Sequence, residues 1–319
     1  MQRVTGARRT YTNPVYDDYF ADPFVIRHDG VYYAYGTVAL TGRTLPALTS
    51  RDLVDWRPLG DVLDPLEREM EAYWAPEVAL HDGRFHMYYS AGRAEGEEHQ
   101  LRLALADDPA GPFRDSGAVL DPDDPFTIDA HPFRDDDGRW YLFYCRDFLE
   151  GDRVGTGIVV DELVDMKTLA GARRTVVRPF AEWNLFAKAR TWYGRTWDWY
   201  TVEGPFVRKR DGLYHCFFSG GAWREENYGV SYAVADHPLG PYEVAADDGP
   251  TVLRTVPGAV LGPGHASIVA APSGTDDYIV YHAWDPARGA RLMRIDRLEW
   301  TPDGPRCDGP SLGPRPVPE

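Results

Sequence analysis

The sequence predicts an all-β chain folded as a five-bladed β-propeller, with four-stranded antiparallel blades around a central channel. Three observations predict it. Aromatic residues make up 13% of the 319 residues, beside 31 glycines and 26 prolines, a balance that favours short strands and turns. No segment carries apolar residues at helical period. An apolar run, an Asp-Gly-like turn and a run rich in Tyr, Phe and Trp recur five times in order.

The five copies are DPFVIRHDGVYYAYGT (22–37), APEVALHDGRFHMYYSAG (75–92), DAHPFRDDDGRWYLFYC (129–145), EGPFVRKRDGLYHCFFSG (203–220) and HASIVAAPSGTDDYIVYHAW (265–284). Asp-Gly between apolar runs marks a tight hairpin, because such turns need positive φ. Each copy therefore reads as two paired strands. The turn glycines are Gly30, Gly83, Gly138 and Gly212, with Asp276-Asp277 in the fifth copy, and successive turns lie more than fifty residues apart. That length suits one four-stranded blade per copy. ALADDPAGPFRD (104–115) and AVADHPLGPYEV (233–244) follow the second and fourth hairpins in matching places and mark their outer strands. The blades fall near 15–70, 71–125, 126–195, 196–255 and 256–319 of a single domain, with 1–14 a flexible or edge-packing segment.

With 34 Lys+Arg against 50 Asp+Glu the net charge is -16. Such a surface repels phosphate backbones and anionic membranes, so nucleic acid and membrane are excluded as partners and a small neutral molecule fits. Cys145, Cys216 and Cys307 are too scattered for a disulfide framework or a C-x-x-C pair. The first twenty residues lack the apolar run of a signal peptide, and no later stretch approaches a membrane span. These features give the expectation of a cytoplasmic protein; no signal of oligomeric state is present.

What begins each unit gives the candidate site. Asp22 lies 8 residues before its turn glycine, Asp129 lies 9 and Glu203 lies 9. First strands line a propeller's axis, so three acids in one register on three blades converge on one mouth of the channel. Asp-Pro and Glu-Gly-Pro also simply open strands, which explains any one of these acids but not three. Clustered carboxylates repel one another and raise their pKa values, a cost that suits acid–base chemistry.

ADPFV (21–25), YWAPEV (73–78), IDAHPFRDDDGRWYLFY (128–144), VEGPF (202–206) and GPGHASIV (262–269), in order and one per blade, resemble glycoside hydrolase family 43, the arabinofuranosidase, arabinanase and β-xylosidase family. The resemblance covers essentially the whole chain. It implies an inverting hydrolase in which Asp22 activates water, Glu203 protonates the departing oxygen, and Asp129 raises the pKa of Glu203 and orients it. The expected activity is release of a terminal pentose, α-L-arabinofuranose ahead of β-xylose, from short oligosaccharides. The chemistry requires no cofactor, and the resemblance implies a hydrated calcium ion near His265, although calcium prefers oxygen ligands.

Trp74 is expected to offer its indole to a sugar face, and Glu77, 6 residues before Gly83, to take a binding role. Trp199 or Tyr200 is expected to wall the substrate subsite. Arg291 and Arg294 stand at an odd offset on one strand, so one faces inward, where it holds sugar hydroxyls or forms a salt bridge. Gly155-x-Gly157 lacks the rest of a dinucleotide fingerprint, and no nucleophile elbow or P-loop is present. Retaining fructan enzymes on a similar scaffold differ from this chain, which has Phe20-Ala21-Asp22-Pro23 and no Arg-Asp-Pro. A non-catalytic, carbohydrate-binding propeller is the remaining reading.

Overall fold

A computed structural model describes residues 9–319 apart from 39–41, 65, 67–69 and 94–97. The strands form five blades. Their inner strands are Ala21–His28, Ala72–His81, Thr127–Arg134, Arg195–Arg210 and Leu261–Ala270, and each is followed outward by three antiparallel strands. Neighbouring inner strands touch in a closed ring, the first against both the second and the fifth. Among the described residues no helix is long and apolar enough to cross a membrane.

The hairpins form as their turn residues dictate. Asp29-Gly30, Asp82-Gly83 and Asp211-Gly212 all have positive φ at both positions, the backbone of the tight turn whose twist matches that of its strands. The third hairpin instead closes through 135–139. The fifth closes through 271–276, so Asp277 opens the second strand, where it pairs with Arg208 at 2.9 Å, rather than forming the turn expected at Asp276-Asp277. ALADDPAGPFRD and AVADHPLGPYEV both run from a third strand through a turn toward an outer strand.

Apolar packing between blades closes the ring. Phe24 of the first blade meets Phe206 of the fourth across the channel, ring centres 6.3 Å apart, below the functional mouth. Burying each such ring contributes about 2–3 kcal/mol relative to exposure. The chain ends meet as well. Thr10–Tyr11 pairs with Arg315–Pro316, and the Asn13 amide exchanges two hydrogen bonds with the backbone of Ile295. The described part of the segment expected to be flexible or edge-packing, residues 9–14, thus lies along the last blade; residues 1–8 lie outside the described residues.

Blades three and four are joined, because Gly155 and Thr156 pair in parallel with Tyr200 and Thr201. A Cβ on Gly155 would come within 1.8 Å of the Tyr200 carbonyl oxygen, so the glycine is there for close backbone approach. The fourth inner strand is long because its first part pairs with Leu185–Trp192 in an added hairpin, turning at Tyr193-Gly194. That hairpin precedes Glu203 and contributes to the mouth where the acids gather.

Candidate active site

All five inner strands carry the same irregularity. Their ladders slip between Ala21 and Phe24, Trp74 and Glu77, Ile128 and His131, Glu203 and Phe206, and Gly264 and Ser267. One residue in each slip is left-handed: Asp22 (φ 51°), Ala75 (44°), Asp129 (58°), Gly204 (59°) and His265 (47°). A non-glycine residue pays about 1–2 kcal/mol for that conformation. Bulges re-aim side chains beside active sites, and here the strain falls on two of the three candidate acids.

The bulges correct the register read from the sequence. Asp22 and Asp129 hold the left-handed position, whereas Glu203 stands one residue earlier, equivalent to Ala21, Trp74, Ile128 and Gly264. Counting back from Gly138 overshoots because the third turn is three residues longer than those of blades one, two and four. Glu203 accordingly shares a cleft of about 450 Å³ with Trp74 and Ile128, its register mates. Asp22 and Asp129 lie deeper, 8% and 6% exposed.

Asp22 is surrounded by nitrogen. Arg291 Nη1 donates to its Oδ1 at 3.1 Å, and His282 Nδ1 and His265 Nδ1 stand 3.3 and 3.5 Å from the same oxygen. Burial alone would raise its pKa, but Arg291 above all, with the Thr37 hydroxyl adding to it, outweighs burial and holds the carboxyl far below its usual range. The Asp22 backbone N–H donates to His282 Nδ1 at 3.0 Å, so that nitrogen carries a lone pair toward the acid. Burial pushes both histidines down, leaving Arg291 as the full positive charge in contact with Asp22. Arg291 is itself fixed by Tyr19, whose hydroxyl accepts from Nε at 2.9 Å, and lies 4.6 Å over the Trp223 ring.

Among the described residues, Glu203 and Asp129 have no such cation in hydrogen-bond contact. Enclosure by the cleft walls, with the charge of Asp22, pushes Glu203 up to about 7 against the opposing hydrogen bond from Tyr228, whose hydroxyl donates to Oε1 at 2.7 Å. Asp129 is raised well above its ordinary value by burial and then by repulsion from Glu203 and Asp22; the Gly204 N–H donates to its Oδ2 at 3.1 Å. The two acids titrate as a pair. The arrangement therefore holds one ionised carboxylate and one carboxylic acid at a single mouth, the complement that general base and general acid require.

The other expected site residues separate. Trp74 lines the cleft, stacked on His99 with ring centres 3.7 Å apart. Arg291 faces the mouth but as the counter-ion of Asp22, the salt-bridge alternative; Arg294 is buried elsewhere on the strand. Glu77 does not face the cleft. It sits one layer down, where His131 Nδ1 donates to its Oε2 at 2.6 Å and His131 Nε2 accepts from the Val207 N–H at 3.0 Å, a strut across three blades. Trp199 is only 1% exposed and packs behind Arg190 and Tyr193, so it supports the wall and does not form its surface.

His265 lies beside Asp22, its backbone N–H donating to Ser219 Oγ at 2.7 Å. Among the described residues no three His, Cys, Asp or Glu side chains are grouped to hold a metal. One imidazole nitrogen is a poor donor set for calcium, which takes six to eight oxygens, so these side chains alone do not make a calcium site.

Tyr228, His282, Tyr19 and Thr37 were not legible as site residues. A faint signal for Tyr228 exists in Gly264, where a Cβ would fall 2.1 Å from the tyrosine ring. Only a glycine there lets the ring reach Glu203.

A propeller with an ionised and a protonated carboxyl at one channel mouth has the site of an acid–base glycosidase. The family model for glycosyl hydrolases family 43 matches residues 11–305, and the chain belongs to that family and is a glycoside hydrolase. It is 29% identical to a β-D-galactofuranosidase of Aspergillus niger, across 92% of this chain and 83% of that one. It is 28% identical to an extracellular exo-α-(1->5)-L-arabinofuranosidase of Streptomyces chartreusis, across 86% and 82%. The crystal structure of a thermostable family-43 glycoside hydrolase superposes with a TM-score of 0.82 at 32% identity, covering 97% of this chain and 99% of the other.

Proposed function

We propose that the chain is an inverting, exo-acting α-L-arabinofuranosidase working on short oligosaccharides, with Asp22 as general base, Glu203 as general acid and Asp129 positioning and tuning Glu203. The observation that carries this is the contrast in contacts: Arg291 donates to Asp22 at 3.1 Å, whereas among the described residues only the neutral hydroxyl of Tyr228 donates to Glu203, at 2.7 Å, an arrangement that favours an ionised Asp22 and a protonated Glu203. Asp22 takes a proton from water as the water oxygen bonds to the anomeric carbon. Glu203 gives its proton to the glycosidic oxygen as that carbon–oxygen bond breaks, and charge is balanced. Asp129 contacts the backbone N–H of Gly204 next to the acid and so acts on its position and charge.

Similarity to both an arabinofuranosidase and a galactofuranosidase favours a furanose ring. α-L-Arabinofuranose and β-D-galactofuranose share ring hydroxyl configuration and differ in the exocyclic arm. A panel of aryl α-L-arabinofuranoside, β-D-galactofuranoside and β-D-xylopyranoside, followed by proton NMR, tests sugar and stereochemistry together. Arabinofuranoside cleaved fastest with the β-anomer formed first is expected. Xylopyranoside preference would replace the sugar, and first release of the α-anomer from the arabinofuranoside would overturn the inverting roles.

A further inference from the structure

The cleft beside Glu203 carries a charge pattern that the hydrolysis of a neutral pentoside does not use. Its walls include Arg190 from the added hairpin and Arg224 from the loop after the fourth blade's second strand. The Arg190 guanidinium lies over three rings, 4.4 Å from the centre of Trp192, 5.1 Å from Trp199 and 5.4 Å from Phe186. Among the described residues it makes no hydrogen bond and no ion pair. Asp147 attracts it, but the carboxylate oxygens of Asp147 are taken by Thr156 at 2.8 Å and Tyr193 at 2.9 Å. Arg224 lies 4.3 Å over Trp223 and likewise has no carboxylate partner among the described residues.

The acids of the cleft do not cancel these two cations. Glu225 is engaged with Arg288, 4.0 Å away, and Glu203 is the proton donor. In a chain of net charge -16 with far more acids than bases, two arginines in one cleft with no ion pair among the described residues are a local concentration of positive charge. Planar guanidinium forks match carboxylates, and rings that strip water from Arg190 strengthen what it can bind. Glu203 protonates the departing oxygen, so Arg190 and Arg224, which line the same cleft as Glu203, stand where the leaving group passes.

We infer that this leaving-group side binds a carboxylate, so that the substrate is an oligosaccharide carrying a hexuronic acid beyond the scissile bond, held by Arg190 and Arg224. This rests on the hydrolase reading above and names its substrate class.

The test compares two oligosaccharides with the same terminal pentose, one neutral and one with a hexuronic acid on the leaving side. For the wild-type protein kcat/KM is expected to favour the acidic one by about tenfold, a preference that shrinks as salt is raised. In the Arg190→Gln/Arg224→Gln variant the ratio is expected to fall toward one. Calorimetric titration of Glu203→Gln with both oligosaccharides reads the same preference without turnover and without touching either arginine. A wild-type ratio at or below one, or a preference that survives loss of both arginines, overturns the inference while leaving the hydrolase standing. If neither oligosaccharide nor any aryl pentoside is cleaved, the hydrolase reading fails, and the calorimetric preference still decides whether the cleft selects a carboxylate.

Discussion

Asp22 and Glu203 stand at one channel mouth, both withdrawn from bulk water, yet Asp22 is held ionised and Glu203 keeps its proton to about pH 7. Asp22 is the deeper of the two and yet the ionised one, so the neighbours and not the depth set them apart. Asp22 receives a hydrogen bond from Arg291, which is anchored by Tyr19 and Trp223; among the described residues Glu203 receives only the hydroxyl of Tyr228, and its partner Asp129 only a backbone N–H and the Cys145 thiol. On the proposed roles, one placed guanidinium separates the base from the acid. The comparison teaches that the catalytic roles reside in the second layer of side chains, contributed by loops and by the fifth blade.

The largest expected effect comes from removing the base. Asp22→Asn should lower kcat by about 10³-fold or more with every leaving group, measured on aryl arabinofuranosides, because water then has no proton acceptor. Arg291→Met should erase the contrast from the other side. It leaves Asp22 buried without its cation, at a cost of about 3 kcal/mol in folding stability measured by denaturant titration, and gives the pH–rate profile a new acidic limb as the Asp22 pKa rises. Asp129→Asn should cut kcat by about 10–100-fold and turn the joint titration of the two acids into a single step belonging to Glu203. Tyr228→Phe should be the smallest change. Its hydroxyl favours the charged form of Glu203, so its loss should move the alkaline limb upward by a fraction of a pH unit.

Much of the fold was legible because its signals are local. Asp29-Gly30, Asp82-Gly83 and Asp211-Gly212 fix hairpins through their own backbone preferences, and the acids follow at nearly constant spacing. Glu203 stands 9 residues before Gly212 and Asp22 stands 8 before Gly30, so their offset was in the spacing; the longer third turn, 135–139, masked it by setting Asp129 at 9 as well. The fate of Glu77 and Trp199 was not legible. Glu77 acquires its role only when His131, from another blade, reaches it, and Trp199 is buried by a hairpin whose place over the mouth depends on pairing between blades three and four. His282 meets Asp22 across blades, and Tyr228 reaches Glu203 from a loop of the same blade 25 residues on; neither contact leaves a pattern in a single sequence.

The central claim is the assignment of acid and base, and the pH dependence of Glu203→Gln tests it most directly. In the wild-type protein the raised pKa of Glu203 keeps the acid protonated below about pH 7, so kcat/KM should fall as pH rises through that value. Glu203→Gln should lose about 10²–10⁴-fold on an alkyl arabinofuranoside and far less on a dinitrophenyl one, which needs no protonation, and on the latter the alkaline limb should vanish. An alkaline limb that persists near the same pH in Glu203→Gln, or equal losses on both leaving groups, would contradict the assignment.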